Sequence, residues 1–321
     1  MARYVGRRML TGLLTVLFCL AFNFALIRLA PGDPINIMAG VDNPNPEMIA
    51  ALTEKYGLDK SIPEQFASYL EQLVHFDLGY SYLNNRSVIE IIQQKIGPSL
   101  MLTLTAILSS VVIGTLLGVV AARKNGCLLD RLMCSVAYVF DSLPSFWLGL
   151  MMILIFASTL KIFPTSGMYD VRAQNTGFAY VLDVLYHLAL PVITLILVQI
   201  PYYFRIARSS VIQVMADDFI VTYRAAGMDE SKIFFRYVLK NAIIPTVTVF
   251  GMSLAFMITG STLVETVFAW PGIGRVLLDS IYQRDYPVLS GIYLMLSVSV
   301  AVMMILVDLV YAWIDPRIRY E

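Results

Sequence analysis

Six stretches free of Asp, Glu, Lys and Arg divide this chain: Met9–Ile27, Ile96–Ala122, Ser142–Leu160, Val184–Phe204, Asn241–Val264 and Tyr286–Val307. A helix rises about 1.5 Å per residue and the hydrocarbon layer of a bilayer is about 30 Å thick, so about 20 such residues cross it. Lipid offers a backbone amide no partner, which leaves the α-helix as the conformation each stretch must take. The third is expected to begin earlier, near Leu132, and so to carry Asp141 into the membrane. Composition agrees, since 58% of the 321 residues are hydrophobic and 14% charged, against roughly 45–50% and about 25% in soluble domains. The predicted class is an all-α polytopic membrane protein with six transmembrane helices.

Lys and Arg number 23, as do Asp and Glu, a balance that excludes a globally basic nucleic-acid binder. The distribution is more informative than the sum. An even number of spans leaves both termini on one side, and fourteen of the 23 bases fall there. They are Arg3, Arg7 and Arg8, then Arg123, Lys124 and Arg131, then Arg205, Arg208, Arg224, Lys232, Arg236 and Lys240, and finally Arg317 and Arg319. Cytoplasmic loops carry the excess of Lys and Arg, so both termini are predicted to be cytoplasmic. The first stretch lacks an Ala-x-Ala-like cleavage site before Pro31 and is read as a retained helix rather than a secretion signal.

Residues 31–95 hold nine acids and four bases and form the expected extracytoplasmic segment. Phe66, Tyr69, Leu70 and Leu73 recur in it at helical spacing, which predicts a short amphipathic helix over Pro63–Leu73, capping the membrane domain. Enzyme chemistry finds little footing. The two histidines, His75 and His187, lie far apart in sequence, with His187 expected solvated at the outer end of the fourth span. HExxH, GxSxG and CxxC patterns are missing, and Gly272-Ile273-Gly274 lacks the third glycine of a dinucleotide fingerprint because position 277 is Leu. Without a GxxxxGK[ST] loop, any ATP that drives the chain is hydrolysed on another subunit. Cys19, Cys127 and Cys134 make neither a disulfide framework nor a zinc pattern. No cofactor or metal site is expected on this chain.

Within the spans, Gly114 and Gly118 place two small residues on one helix face, where a neighbouring backbone approaches closely. Pro144, Pro191 and Pro201 remove backbone hydrogen bonds inside membrane stretches and open or kink a helix there. Asp141 is the most expensive polar group, at ~2.5–3.5 kcal/mol for an Asp at the centre of a spanning helix. Asp141 and Pro144 are therefore the candidates for a translocation path, with an interhelical hydrogen bond as the structural alternative for Asp141. Glu265 and Asp279 lie outside the spans and read as rim residues.

Residues 205–241 form the one sizeable cytoplasmic element, and their pattern is that of two short helices around a glycine. Val211, Val214, Met215, Phe219 and Tyr223 share a face, and Arg224-Ala225-Ala226-Gly227 ends that helix at a glycine suited to the left-handed conformation. Asp229 is placed to cap a second helix over Glu230–Ala242. Such an elbow suits docking into a groove of a partner. An amphipathic helix lying on lipid is the alternative, but bulky apolar groups rather than alanines would then be expected at the tip.

Phe219-Ile220-Val221-Thr222-Tyr223-Arg224-Ala225-Ala226-Gly227, followed by Leu239-Lys240-Asn241-Ala242-Ile243-Ile244-Pro245, resembles the EAA-type coupling loop of ABC importer permeases, most closely the dipeptide/oligopeptide/nickel branch. The resemblance runs along nearly the whole chain. It takes in Leu29-Ala30-Pro31-Gly32-Asp33-Pro34, Tyr56-Gly57-Leu58-Asp59 and Phe76-Asp77-Leu78-Gly79-Tyr80-Ser81. Further on come Val264-Glu265-Thr266-Val267-Phe268-Ala269-Trp270-Pro271-Gly272-Ile273-Gly274-Arg275, Arg284-Asp285-Tyr286-Pro287 and Asp315-Pro316-Arg317-Ile318-Arg319-Tyr320. The coupling loop departs from the branch pattern at Val221, Tyr223 and Ala226, where a basic residue, Ala and Lys or Arg are usual.

The resemblance implies the type I importer permease fold in a prokaryotic inner membrane. It divides the chain into an N-terminal transmembrane helix (1–30), the extracytoplasmic segment (31–95), a transmembrane domain (96–312) containing the coupling loop (205–241), and a cytoplasmic tail (313–321). It implies as partners a second homologous permease, two cytoplasmic ATPase subunits carrying ATP and Mg²⁺, and an extracytoplasmic substrate-binding protein. The coupling surface would be Thr222, Tyr223, Arg224, Ala225, Ala226, Gly227, Met228 and Asp229. Peptide is the expected cargo, with nickel or a nickel chelate as the alternative within the branch. A secondary transporter would need ionisable relays in several spans, and only Asp141 lies deep; a membrane hydrolase lacks a catalytic set.

Overall fold

In a computed structural model, residues 2–29, 53, 59–84, 86–257 and 261–314 of the chain are described. The Leu29–Pro34 motif beyond Leu29, Tyr56-Gly57-Leu58 and the tail motif from Asp315 lie outside them. In chain order the helices are α1 (Ala2–Leu29), α2 (Ile62–Val74), α3 (Val88–Arg123), α4 (Leu128–Ser142) and α5 (Ser145–Met152), which runs on as π-helix through Ile153–Thr159. Then come α6 (Gly177–Met215), α7 (Asp218–Ala225) and α8, made of Glu230–Lys232, a π-helical Ile233–Val238 and Leu239–Ala242. The last four are α9 (Ile244–Ala255), α10 (Thr262–Val267), α11 (Ile273–Gln283) and α12 (Tyr286–Ile314). Among the described residues, five helical stretches are long and apolar enough to cross a membrane, or six if the bent α4–α5 pair is one span. Large apolar side chains such as Phe18, Leu116 and Val136 point outward from them. An apolar surface of that extent is stable against lipid, not water.

The parallel pair α3–α6 is the frame. It packs tightly because a Cβ at Gly114 would lie 2.8 Å from the Tyr203 Cβ, and one at Gly118 would lie 2.6 Å from the Phe204 carbonyl oxygen. No side chain fits at that separation, so the small-residue face expected from sequence is the contact itself. Leu102 and Ala106 of α3, Leu148 and Met152 of α5, Leu190 and Leu195 of α6 and the connector residues Phe268 and Trp270 form the main core. Outside this frame α1 lies along α12, and α12 along α9.

Three boundaries differ from the sequence reading. The apolar run from Ile96 starts too late: α3 begins at Val88, whose side chain is fully buried near Gly291 of α12. Packing across the chain, not local hydropathy, pulls these first turns into the helix. The third span is not one rod, because α4 and α5 meet at 100°. Leu143 takes extended backbone (φ −85°, ψ 129°) and Pro144 stands just before α5, as expected of a residue preceding proline. Pro191 and Pro201, by contrast, sit inside an unbroken α6. The fifth run, Asn241–Val264, begins in the last turn of α8 and takes in α9 and the start of α10.

The predicted outer helix is present as α2. Ser61 and Glu64 cap it reciprocally, with the Ser61 N–H donating to the Glu64 carboxylate at 3.0 Å. Phe66 and Tyr69 pack on Phe24 of α1, ring centres 5.1 and 5.9 Å apart, and burial pushes the Tyr69 phenol up to about 12. A second tie closes the start of α12, where the Ser81 hydroxyl and the Tyr82 N–H both donate to Asp285. The motifs Phe76–Ser81 and Arg284–Pro287, more than 200 residues apart, are thus two halves of one contact.

Candidate functional site

The elbow expected around Gly227 is built by its own backbone. Gly227 takes φ +74°, and two hydrogen bonds close the end of α7: Gly227 N–H to the Arg224 carbonyl at 3.0 Å and Met228 N–H to the Tyr223 carbonyl at 3.1 Å. This is the Schellman pattern, whose usual apolar contact is here Tyr223 with Met228 in one cluster. One residue later the Asp229 carboxylate accepts from the Lys232 N–H at 3.1 Å, starting α8. Each piece is local chemistry, which is why the sequence alone reveals it.

The elbow stands on a separate core. Ile220, Ile233, Phe234 and Val238 are buried against Val211 of α6 and Ala122 of α3. Tyr223 packs at a tilt on Tyr237 with ring centres 4.4 Å apart, and the Arg123 guanidinium sits 4.7 Å over the Phe234 ring. Two details depart from expectation. α6 ends at Met215, so Arg205 and Arg208 belong to the frame helix, and a turn capped by Asp217 separates them from α7. The second elbow helix contains π-helical turns over Ile233–Val238 in place of a regular helix to Ala242.

The eight residues singled out from sequence divide in two. Thr222, Arg224, Ala225, Ala226, Gly227 and Asp229 are exposed, whereas Tyr223 and Met228 are half-buried and hold the tip from beneath. Arg224 donates to Glu230 at 2.7 Å, and this carboxylate raises the guanidinium above its ordinary range. The tip therefore presents small side chains rimmed by a paired Arg and Glu, over a base too well packed to follow the tip's motions independently.

Two ion pairs join α4 to α6 above the elbow. Arg208 grips Asp130 with Nε and Nη2 at 2.7 and 2.8 Å, and Asp130 also accepts from the Gly126 N–H at 2.9 Å. Asp141 pairs with Arg205. The most expensive intramembrane acid thus has a counter-ion on the neighbouring helix, which offsets its insertion cost. The connection is legible only in three dimensions, because the partners are 64 residues apart. Pro144 marks the 100° break between α4 and α5.

Glu265 is not a rim residue. It is fully buried, and its carboxylate accepts from Ser99 Oγ at 2.6 Å, Ser261 Oγ at 2.7 Å and the Arg275 N–H at 3.2 Å. The last of these lies in the first turn of α11, where a helix favours an anion. Ser99 Oγ in turn accepts from the Ile273 N–H at 2.8 Å, and Trp270 Nε1 donates to the Pro98 carbonyl at 2.9 Å. Gly272 and Gly274 are required by approach: a Cβ at Gly272 would lie 2.3 Å from Glu265 Oε2, and one at Gly274 would lie 2.5 Å from Thr262 Cα. The Gly-x-Gly is a packing device, and α3, α10 and α11 are locked through one carboxylate. His187 also departs from expectation: it is 9% exposed, 2.9 Å from the Asp183 carboxylate. Asp279 lies 3.8 Å from Arg275 on the exposed side of α11.

A frame of long apolar helices with an exposed-tipped elbow at one end defines a multi-span helical membrane protein. The chain belongs to the family of binding-protein-dependent transport system inner membrane components, whose description matches residues 114–320, while residues 1–104 match that of the family's N-terminal part. It is 36% identical over 338 aligned residues to the Di/tripeptide transport system permease protein DppB of Pseudomonas aeruginosa, covering 100% of both chains. Identity is 35% to the probable peptide ABC transporter permease protein y4tP of Sinorhizobium fredii and 32% to the dipeptide transport system permease protein DppB of Escherichia coli K12, again over 100% of each. Among solved structures, a chain of the MetNI methionine ABC transporter in an inward-facing conformation matches with TM-score 0.56 and 17% identity. That match covers 71% of this chain and 97% of that one, and it supports the same helical fold.

Proposed function

We propose that this chain is a pore-forming permease subunit of an ATP-driven, binding-protein-dependent peptide importer of a prokaryotic inner membrane. The full-length similarity to peptide permeases, at 32–36% identity, carries this reading. Its partners are a second homologous permease, two ATPase subunits that bind ATP and Mg²⁺, and an extracytoplasmic binding protein that delivers the peptide. Both termini and the elbow face the cytoplasm, in keeping with the excess of Lys and Arg on that side.

Transport proceeds by alternating access. ATP closes the motor dimer, and the exposed tip formed by Thr222, Arg224, Ala225, Ala226, Gly227 and Asp229 moves with the groove that holds it. The packed base beneath Ile220 and Phe234 passes that displacement to α3 and α6 as a rigid-body shift. Two measurements test this. Proteoliposomes bearing the complete importer should accumulate labelled dialanine only with ATP and binding protein present. A Cys replacing Ala225 should cross-link to the ATPase subunit; uptake without ATP, or cross-linking only to lipid, refutes the reading.

A further inference from the structure

Neither Asp141 nor Pro144 lines the cavity that lies between the frame helices and α9. Its volume is about 400 Å³, and it is bounded by α3, α6 and α9. On α6 its wall is made by Leu195, Val198, Gln199 and Tyr202, the i, i+3, i+4, i+7 face of one helix. Met252, Phe256 and Met257 face them from α9 and its end. Gln199 lies six residues, about 9 Å of helix rise, from Arg205, and so at membrane depth. No Asp, Glu, Lys, Arg or His stands among the lining residues described.

The polar groups here are all uncharged. The Tyr203 hydroxyl is committed to Ser253 at 2.8 Å, and Ser253 to the Val249 carbonyl at 3.0 Å. Gln199 and Tyr202 bring a carboxamide and a phenol to the same wall. A carboxamide both donates and accepts, which matches a peptide bond group for group. Methionine and phenylalanine opposite it adapt to apolar side chains of differing shape. A wall without charge cannot hold a peptide's charged ends tightly, and a conduction site must bind weakly enough to release its cargo.

We infer that this cavity is a transit site for peptides, in which Gln199 and Tyr202 read the main chain while the uncharged wall accepts any side chain. The inference rests on the peptide-importer reading above and adds the place where cargo passes this subunit.

A pair of opposite charge substitutions tests it. Gln199→Glu and Gln199→Lys are each assembled into the complete importer with the same binding protein, and uptake of Ala-Lys, Ala-Glu and Ala-Ala is compared. One unit charge across about 4 Å of water corresponds to a factor of about five in an equilibrium. Because the two peptides shift in opposite directions by that factor, the Ala-Lys to Ala-Glu uptake ratio should rise about 25-fold in Gln199→Glu and fall about 25-fold in Gln199→Lys, with binding-protein affinity unchanged. Ratio changes of opposite sign cannot arise from damage to the fold, which lowers all three rates together. Equal effects on all peptides, no effect, or loss of assembly with the second permease in both variants overturns the transit site while leaving the importer reading intact. Wild-type uptake of none of the three peptides overturns that reading and the inference with it.

Discussion

Gly227 offers a test in which backbone strain and steric bulk separate cleanly. Its φ of +74° is a conformation that costs an L-residue roughly 1–2 kcal/mol, while a Cβ built there meets nothing within 4 Å. Substitution is therefore penalised through the backbone alone. If the strain opens the turn, the two closing hydrogen bonds from Gly227 and Met228 go too, at about 1 kcal/mol net each. Gly227→Val, β-branched and intolerant of positive φ, should weaken the elbow by about 2 kcal/mol, either as strain in the closed turn or as the two bonds lost on opening it. Gly227→Ala should lose about 1 kcal/mol, and Gly227→Asn less, because asparagine visits the left-handed region readily. Substrate-stimulated ATPase activity of the reconstituted importer should follow the order Gly, Asn, Ala, Val while membrane abundance stays level. Asn as damaging as Val would show that bulk at the partner surface, not backbone conformation, governs the site. Full stimulation in Gly227→Val would end the elbow's role altogether.

Three further outcomes are expected. With Cys19, Cys127 and Cys134 replaced by Ser, a Cys at the 82%-exposed Tyr282 should react with a membrane-impermeant maleimide in intact cells, and one at Ala225 only in inverted vesicles; the reverse pattern would invert the topology. Asp130→Ala strands the Arg208 guanidinium beside a side chain that is 4% exposed in the native pair. It should cost about 3 kcal/mol in thermal unfolding, whereas Asp130→Leu with Arg208→Met recovers most of it. Glu265→Ala leaves two hydroxyls and one N–H without their acceptor and should cost about 3 kcal/mol. Gly272→Ala should cost a similar amount, and the double variant should lose less than the sum, because removing the carboxylate clears one of the clashing groups.

The proline positions show how far local rules reach. Pro144, Pro191 and Pro201 carry the same chemical defect, yet only Pro144 coincides with a break. In α6 the surrounding packing on α3 and α5 holds the rod together across both prolines, while at Leu143–Pro144 the chain turns through 100°. Sequence reading places the residue and tertiary packing selects the outcome. The elbow lies at the other extreme. Gly227, Asp229 and the apolar face of α7 act within a few residues of themselves, so their geometry is visible before any fold is known.

Sequence alone determined that this chain is a bundle of membrane-crossing helices with a glycine elbow, because hydrocarbon length, backbone hydrogen bonding and capping act over one helix or one turn. Motif order likewise marked the family. Which charges are paired, which glycines are irreplaceable and which cavity lies between the helices were decided only by tertiary structure. Asp141 meets Arg205 across 64 residues, Ser99 meets Glu265 across 166, and Ser81 meets Asp285 across 204. A buried carboxylate costs several kcal/mol unless donors converge on it, and that convergence depends on how distant helices pack, which no local pattern encodes.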